Sequence, residues 1–235
     1  MMRLRSMLYA VWYYGVTAVL SIAYLPLLAL PRGAIREGIR LWALTLIWGM
    51  RVIGGVRVEV RGLERLPEGP VLIAAKHQSM FDIVPASAYL PDALFVMKRE
   101  LMRIPLFGWL NMKHGTIAVD RGGQASAMRK LIADARDRLV RPRQLLIFPE
   151  GTRRAPGAPP DYKPGVAGIY RELNVPCVPV ATNTGLHVDA SGVVRSKGVV
   201  VYEILEPIPP GLKRADFMRI LQERIETASN ALLKE

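Results

Sequence analysis

One cysteine in 235 residues, Cys177, excludes an internal disulfide framework, and with three histidines it leaves too few ligands for a structural zinc site. A domain facing a reducing cytosol fits that usage. The His and carboxylate positions also lack metal-ligand spacing, so no metal is expected. No Gly-x-Ser-x-Gly elbow is present, which removes the usual nucleophile of an α/β-hydrolase. Acidic residues are scarce: 20 stand against 32 Lys and Arg, for a net charge of +12. That balance favours anionic partners, whether nucleic acid, phospholipid headgroups or a phosphorylated cofactor. No internal repeat or low-complexity linker occurs, and the length suits one compact domain plus an appendage.

Charge itself is missing from Met7 to Leu30, a run that would reach about 36 Å as a helix. A second apolar run, Leu41 to Met50, lies between Arg40 and Arg51 and is too short to span alone. Arg3 and Arg5 precede the first run, and Arg32, Arg36, Arg40, Arg51, Arg57 and Arg61 follow it. A single crossing would leave cations on both sides. A helical hairpin dipping into the cytoplasmic leaflet keeps them all at anionic headgroups and is the favoured reading, with a true span as the alternative. No small-x-small cleavage site marks a removable signal peptide.

Beyond the hairpin, Val56 to Val60 alternates with period two, while Val71 to Ala75, Leu94 to Met97, Thr116 to Val119, Leu145 to Phe148, Cys177 to Ala181 and Val199 to Leu205 read as strands. Helices are expected at Glu100–Met112, at the amphipathic stretch 124–140, at Gly165–Leu173 and at Asp216–Leu233, the last capped by Asp216. Glu100–Met112 suits either a membrane interface or the core. Ala155 to Pro160 is an irregular loop. The alternation predicts an α/β fold with a mostly parallel central sheet flanked by helices. The N-terminal membrane-associated hairpin takes residues 1–55, and residues 56–235 form the catalytic domain.

Two short segments carry the chemistry. In His77-Gln78-Ser79-Met80-Phe81-Asp82, the histidine and aspartate would stand about 140° apart on a continuous helix and could not meet. They meet if His77 precedes a helix capped by Ser79 whose first turn holds Asp82. Asp82 can then fix the imidazole tautomer and leave the other nitrogen to take a proton from a substrate hydroxyl. In Phe148-Pro149-Glu150-Gly151-Thr152-Arg153, a glycine-containing loop behind a strand offers amides, a hydroxyl and a guanidinium to an oxyanion. Arg121 and Lys98 offer further cations at strand ends. Cys177, inside a buried strand, reads as a small hydrophobe.

With Gly115 to Arg121 and Val175 to Val180, these segments make four ordered blocks that resemble the glycerolipid acyltransferase family, and within it the 1-acylglycerol-3-phosphate acyltransferases, over roughly residues 55 to 185. The resemblance implies that His77 is the general base, that Asp82 orients it, and that Arg121, Glu150, Gly151, Thr152 and Arg153 bind the acceptor. Lys98, followed by Glu100-Leu101, would sit near the phosphate or the thioester carbonyl. The implied reaction moves a fatty acyl group from an acyl thioester, on coenzyme A or acyl carrier protein, to the sn-2 hydroxyl of lysophosphatidic acid, giving phosphatidic acid. No cofactor beyond that co-substrate is implied. A sister enzyme acting on another lysolipid, such as lyso-ornithine lipid, is the alternative. The expected partners are membrane phospholipid, lysophosphatidic acid and the acyl donor, with the catalytic domain on the cytoplasmic face of the membrane. A basic module that binds nucleic acid is disfavoured, because the arginines are scattered and not clustered with aromatics.

Overall fold

Among the described residues of the computed structural model, which are 2–120, 124–139 and 142–235, seven strands form one sheet. They are β1 (Val56–Arg61), β2 (Val71–Ala75), β3 (Ala93–Lys98), β4 (Ile117–Val119), β5 (Gln144–Ile147), β6 (Cys177–Thr182) and β7 (Gly198–Ile204), in the order β1-β7-β6-β2-β5-β3-β4. β2 to β6 all run parallel. β7 runs against β6, with Tyr202 opposite Thr182, and β1 follows β7. The sheet is therefore mostly parallel, as expected. β2 and β6 expose no residue, as suits unbroken apolar runs covered on both faces, whereas edge strand β1 alternates from buried Val56 to exposed Arg57.

Helices close both faces. On one, Leu72, Leu94, Leu145 and Cys177 meet α5 (Gln124–Arg138), α6 (Gly165–Leu173) and α8 (Arg214–Leu232) through Leu131, Ala135, Ile169, Phe217 and Leu221. Tyr170 and Phe217 stack there with ring centroids 3.8 Å apart. On the other, Val71, Ile73, Ala75, Val178 and Tyr202 meet Ala86 of α3 (Ile83–Tyr89), and Leu90 just beyond it. Each large aliphatic side chain buried this way contributes roughly 1.5–3 kcal/mol.

The N-terminus forms the expected hairpin. α1 (Met2–Ala23) ends earlier than the apolar run does, because Pro26 lacks the N–H a continuing helix needs, and a 3-10 turn (Leu25–Ala29) leads into α2 (Arg32–Gly49). The two helices are antiparallel: Arg5 donates to the Ile53 carbonyl, Trp12 to Thr45, and Trp42 to the Thr17 hydroxyl. Gly49 is required at the crossing, since a Cβ there would lie 2.1 Å from the Trp12 indole nitrogen. The hairpin docks through Tyr9, Leu46 and Met50 onto Phe81, Val84 and Ala88, so it covers the segment that carries His77. Leu4, Met7, Val11, Val19 and Ile22 remain exposed on α1, which is long and apolar enough to cross a membrane.

Three local expectations need correction, and one element was not foreseen. Glu100–Met112 is not one helix: a 3-10 turn (Arg99–Arg103) stops at Ile104-Pro105, and α4 (Phe107–His114) starts after Leu106, which takes φ 64°. Pro105 forces that break by disfavouring helical geometry at Ile104. Asp216 does not cap α8: Lys213 stands at the N-cap position without a side-chain cap hydrogen bond, and Asp216 lies in the first turn, where its charge suits the helix dipole. The short α7 (Thr184–His187) carries no sequence signal. The amphipathic stretch expected at 124–140 ends at Arg138, and residue 140 lies outside the described residues.

Candidate active site

Because β2 to β6 are parallel, the segments that follow them leave one edge of the sheet, the place where open α/β sheets bind ligands. β2 and β5 are hydrogen-bonded neighbours and β3 flanks β5, so His77, Phe148 to Arg153 and Lys98 arrive side by side.

His77 leaves β2 before any helix begins, and the next turn is 3-10 (Met80–Asp82) with Ser79 as its N-cap in a full capping box. Asp82 Oδ2 lies 2.9 Å from His77 Nδ1 and accepts the backbone N–H groups of Gln78 at 2.7 Å and Ser79 at 2.8 Å. Ser79 Oγ accepts from the Phe81 N–H and donates to the Asp189 carbonyl at 2.7 Å, pinning the turn to the loop before β7. The Asp82 side chain is fully buried, whereas His77 keeps 13% of its side chain exposed. With Nδ1 committed to Asp82, Nε2 is the nitrogen that can take a proton. Phe148 stacks on the imidazole at 3.8 Å and 14°, fixing the ring plane.

On the other side of the strand end, Lys76 points away from His77, as strand alternation requires. Its Nζ meets Glu150 Oε1 at 3.1 Å and Glu226 Oε1 of α8 at 2.8 Å, and Tyr162 donates to Glu226 at 2.8 Å. The Glu150 carboxylate has no exposed surface. Glu150 therefore does not line the cavity that opens beside His77: it clamps the loop after β5 to the residue before His77. The reason is electrostatic, since a lysine this deeply buried must keep a carboxylate beside it.

The turn Phe148 to Gly151 closes with the Gly151 N–H donated to the Phe148 carbonyl at 2.9 Å, so that amide is already used; Gly151 takes φ 67°, which only glycine adopts freely. The Arg154 N–H donates to the His77 carbonyl at 2.8 Å, tying the two segments together again. Thr152 and Arg153 are exposed beyond the turn. Arg153 and Lys98 line, with His77, a cavity of about 300 Å³ whose remaining walls are mostly apolar. Phe95, Leu110, Phe148 and Met80 form part of it, and the hairpin contributes Tyr13, Leu20, Tyr24 and Trp42. Among the described residues, Lys98 has a loose contact to Glu100 at 3.7 Å, and it is half exposed. Arg121 lies outside the described residues; β4, which precedes it, sits three strands from β2, about 14 Å at the usual spacing.

Several residues of this site carry no signature in sequence. Phe148 is an aromatic ahead of a proline until the fold stacks it on His77. Lys76 looks like one more cation. Gln78 is buried and accepts from the Gly185 N–H at 2.9 Å, so it orders the motif from a distant loop. Cys177 is buried in β6, where desolvation pushes its thiol up and keeps it unreactive.

The acyltransferase family profile matches residues 57–183, more than half of the chain. A 1-acyl-sn-glycerol-3-phosphate acyltransferase of Pseudomonas aeruginosa is 34% identical over 185 residues, covering 79% of this chain and 72% of that protein. The human 1-acyl-sn-glycerol-3-phosphate acyltransferase alpha is 27% identical over 221 residues, covering 91% and 78%. The crystal structure of a 1-acyl-sn-glycerophosphate acyltransferase from Thermotoga maritima superposes with a TM-score of 0.83 at 22% identity, over 100% of this chain and 99% of that one. That last likeness is one of fold.

Proposed function

The chain belongs to the acyltransferase family, and from that premise we propose that it acylates the sn-2 hydroxyl of lysophosphatidic acid to give phosphatidic acid. The observation that carries the reading is one cavity in which a base with a fixed tautomer meets two cations and an apolar wall. His77 Nε2 takes the proton of the acceptor hydroxyl as its oxygen attacks the thioester carbonyl. The tetrahedral intermediate then collapses, breaking the carbon–sulfur bond, and the thiolate leaves with the proton from His77. Asp82 stabilises the imidazolium that forms between these steps. Arg153 and Lys98 supply the positive charge that an acceptor phosphate needs, and the apolar wall accommodates alkyl chain. No acyl-enzyme is required.

The donor is an acyl thioester on coenzyme A or acyl carrier protein, both anionic carriers suited to a +12 chain. The enzyme is membrane-associated. The antiparallel hairpin brings Arg3 and Arg5 back toward Arg51 and Arg57, so one leaflet can receive all four; this supports monotopic insertion from the cytoplasmic face.

The test is purified protein in mixed micelles with chain-matched acyl-coenzyme A and acyl carrier protein donors and two acceptors, lysophosphatidic acid and lyso-ornithine lipid. Phosphatidic acid from the first acceptor, at a kcat/KM well above that for the second, is the expected result. Preference for the lyso-ornithine lipid would replace this reading with the sister activity.

A further inference from the structure

Asp82 directs all three of its hydrogen bonds to one oxygen. Oδ2 accepts from Gln78 and Ser79 and faces His77, while Oδ1 is buried and has no partner among the described residues. An anionic oxygen in that state is costly, because it has lost its water and gained no donor. Two buried hydroxyls are equally unpartnered among the described residues: Ser229 of α8, which packs on the opposite face of the sheet, and Tyr202 of β7, a residue only 2% exposed. Asp82 and Tyr202 lie on the same side of the sheet. Tyr202 packs in the cluster that holds Ala75, two residues before His77, and Ala86 of α3. Ala86 stands four residues after Asp82 and so shares its helix face.

We propose that Tyr202 is a positioning residue for the catalytic pair, its hydroxyl donating toward Asp82 Oδ1 with one bound water closing the gap. A donor and an acceptor, both buried and otherwise unserved, are the groups a bridging water satisfies. Burial, and then the Asp82 charge, push the Tyr202 phenol up, so it remains a proton donor throughout the working range. The groups around the pair do not compete for the role. Tyr9 of α1 stands edge-on to Phe81 with its hydroxyl on the Leu46 carbonyl; Lys76 and Glu150 occupy the other face; Asp189 is engaged with Ser191, Val193 and Arg195; Lys98 and Arg153 lie along the cavity. A donor on Oδ1 draws charge away from the Oδ2–imidazole bond. Tyr202 therefore sets how basic His77 is as well as how it is aimed.

The proposal rests on His77 being the base, so the test reads the imidazole directly as well as through turnover. Tyr202→Phe keeps the ring and removes only the donor. The titration of His77, followed by ¹⁵N NMR in micelles and assigned with His77→Ala, should move to higher pH by about half a unit or more in Tyr202→Phe. The acid limb of kcat/KM should move with it, kcat should fall several-fold, and both Michaelis constants should stay within twofold. An unmoved His77 titration overturns the proposal, even if turnover falls through lost packing. If the titration moves while His77→Ala retains most activity, the link stands and it is the catalytic reading that fails. Thermal melting of Tyr202→Phe accompanies these measurements; if that variant does not fold, Tyr202→Trp and Asp82→Glu titrated in the same way must leave His77 displaced from its wild-type value, and a wild-type titration in both overturns the proposal.

Discussion

The molecule holds two histidine–aspartate neighbourhoods at opposite edges of one sheet. His77 and Asp82 lie past the carboxyl end of β2; Asp92 and Arg143 precede β3 and β5 at the amino edge, with His114 at the end of α4. At the first, the aspartate faces the ring at 2.9 Å, and the ring opens on a cavity. At the second, the aspartate is taken by guanidiniums, Arg32 at 2.6 Å and Arg143 at 3.2 Å, and the His114 ring is left buried with Nδ1 unpartnered among the described residues. Burial, aided by the Arg143 charge, depresses His114 to about 4. Burial alone would raise Asp92, but the Arg32 hydrogen bond and the Arg143 charge hold it below its ordinary 3.8. The same two residue types make an oriented imidazole open to a cavity where the carboxylate is reserved for the ring. They make a clamp, here holding α2 to the sheet, where arginine outcompetes the ring.

The largest effect that can break this contrast is on turnover. His77→Ala should lower kcat by about 10² to 10⁴-fold with acceptor binding nearly intact, whereas His114→Ala should leave kcat of the folded enzyme within about twofold. Equal losses in a steady-state assay would mean that the two sites are not different in kind. Stability should respond in the reverse sense. Asp92→Ala strands Arg143, whose side chain is only 4% exposed, and should cost about 3 kcal/mol in chemical denaturation while the folded fraction keeps its activity.

His114 also sets a pH dependence. Its folded value lies below the ordinary 6.5, so below 6.5 the unfolded chain binds a proton that the folded one refuses. The contribution is fully present above pH 6.5 and is lost as pH falls toward about 4, worth about 3 kcal/mol across that window. Asp92 adds its own loss only lower down, below 3.8. His114→Phe should flatten the slope of unfolding free energy between those limits, and an unchanged slope would place the titrating group elsewhere.

The smallest effect concerns the arginine that is free for a ligand against the one already paired. Arg153→Lys should raise the Michaelis constant for lysophosphatidic acid about 10-fold and leave that for the donor nearly unmoved, because lysine cannot form the bidentate fork. Arg143→Lys should alter stability and not that constant. A rise confined to the donor's constant would reassign Arg153 to the thioester carrier.

Much of this was legible beforehand. Val71 to Ala75, Cys177 to Ala181 and the Ser79–Asp82 cap depend on neighbours in the chain, and local propensity places them well. The break at Pro105 was legible too, but the apolar residues from Leu101 to Met112 drew the reading toward one helix. The role of Glu150 was hidden, because its partner Lys76 lies 74 residues upstream and is shared with Glu226 of α8, and no spacing rule connects them. The turn that spends the Gly151 amide on Phe148 was hidden for a similar reason, since a glycine after an acid reads equally as a ligand nest or as a turn.

By itself the sequence determined most of the elements, the apolar hairpin and the two segments that carry His77 and Arg153, since periodicity, capping and charge are properties of nearest neighbours along the chain. Only the tertiary structure decided which carboxylate serves a histidine and which serves a lysine or an arginine. It also put Phe148 on the imidazole and built one wall of the cavity from the hairpin. These outcomes depend on strand order and on which side of β2 a side chain leaves, and pairing energies between buried charges are set by distance and desolvation, neither of which exists until the sheet has formed.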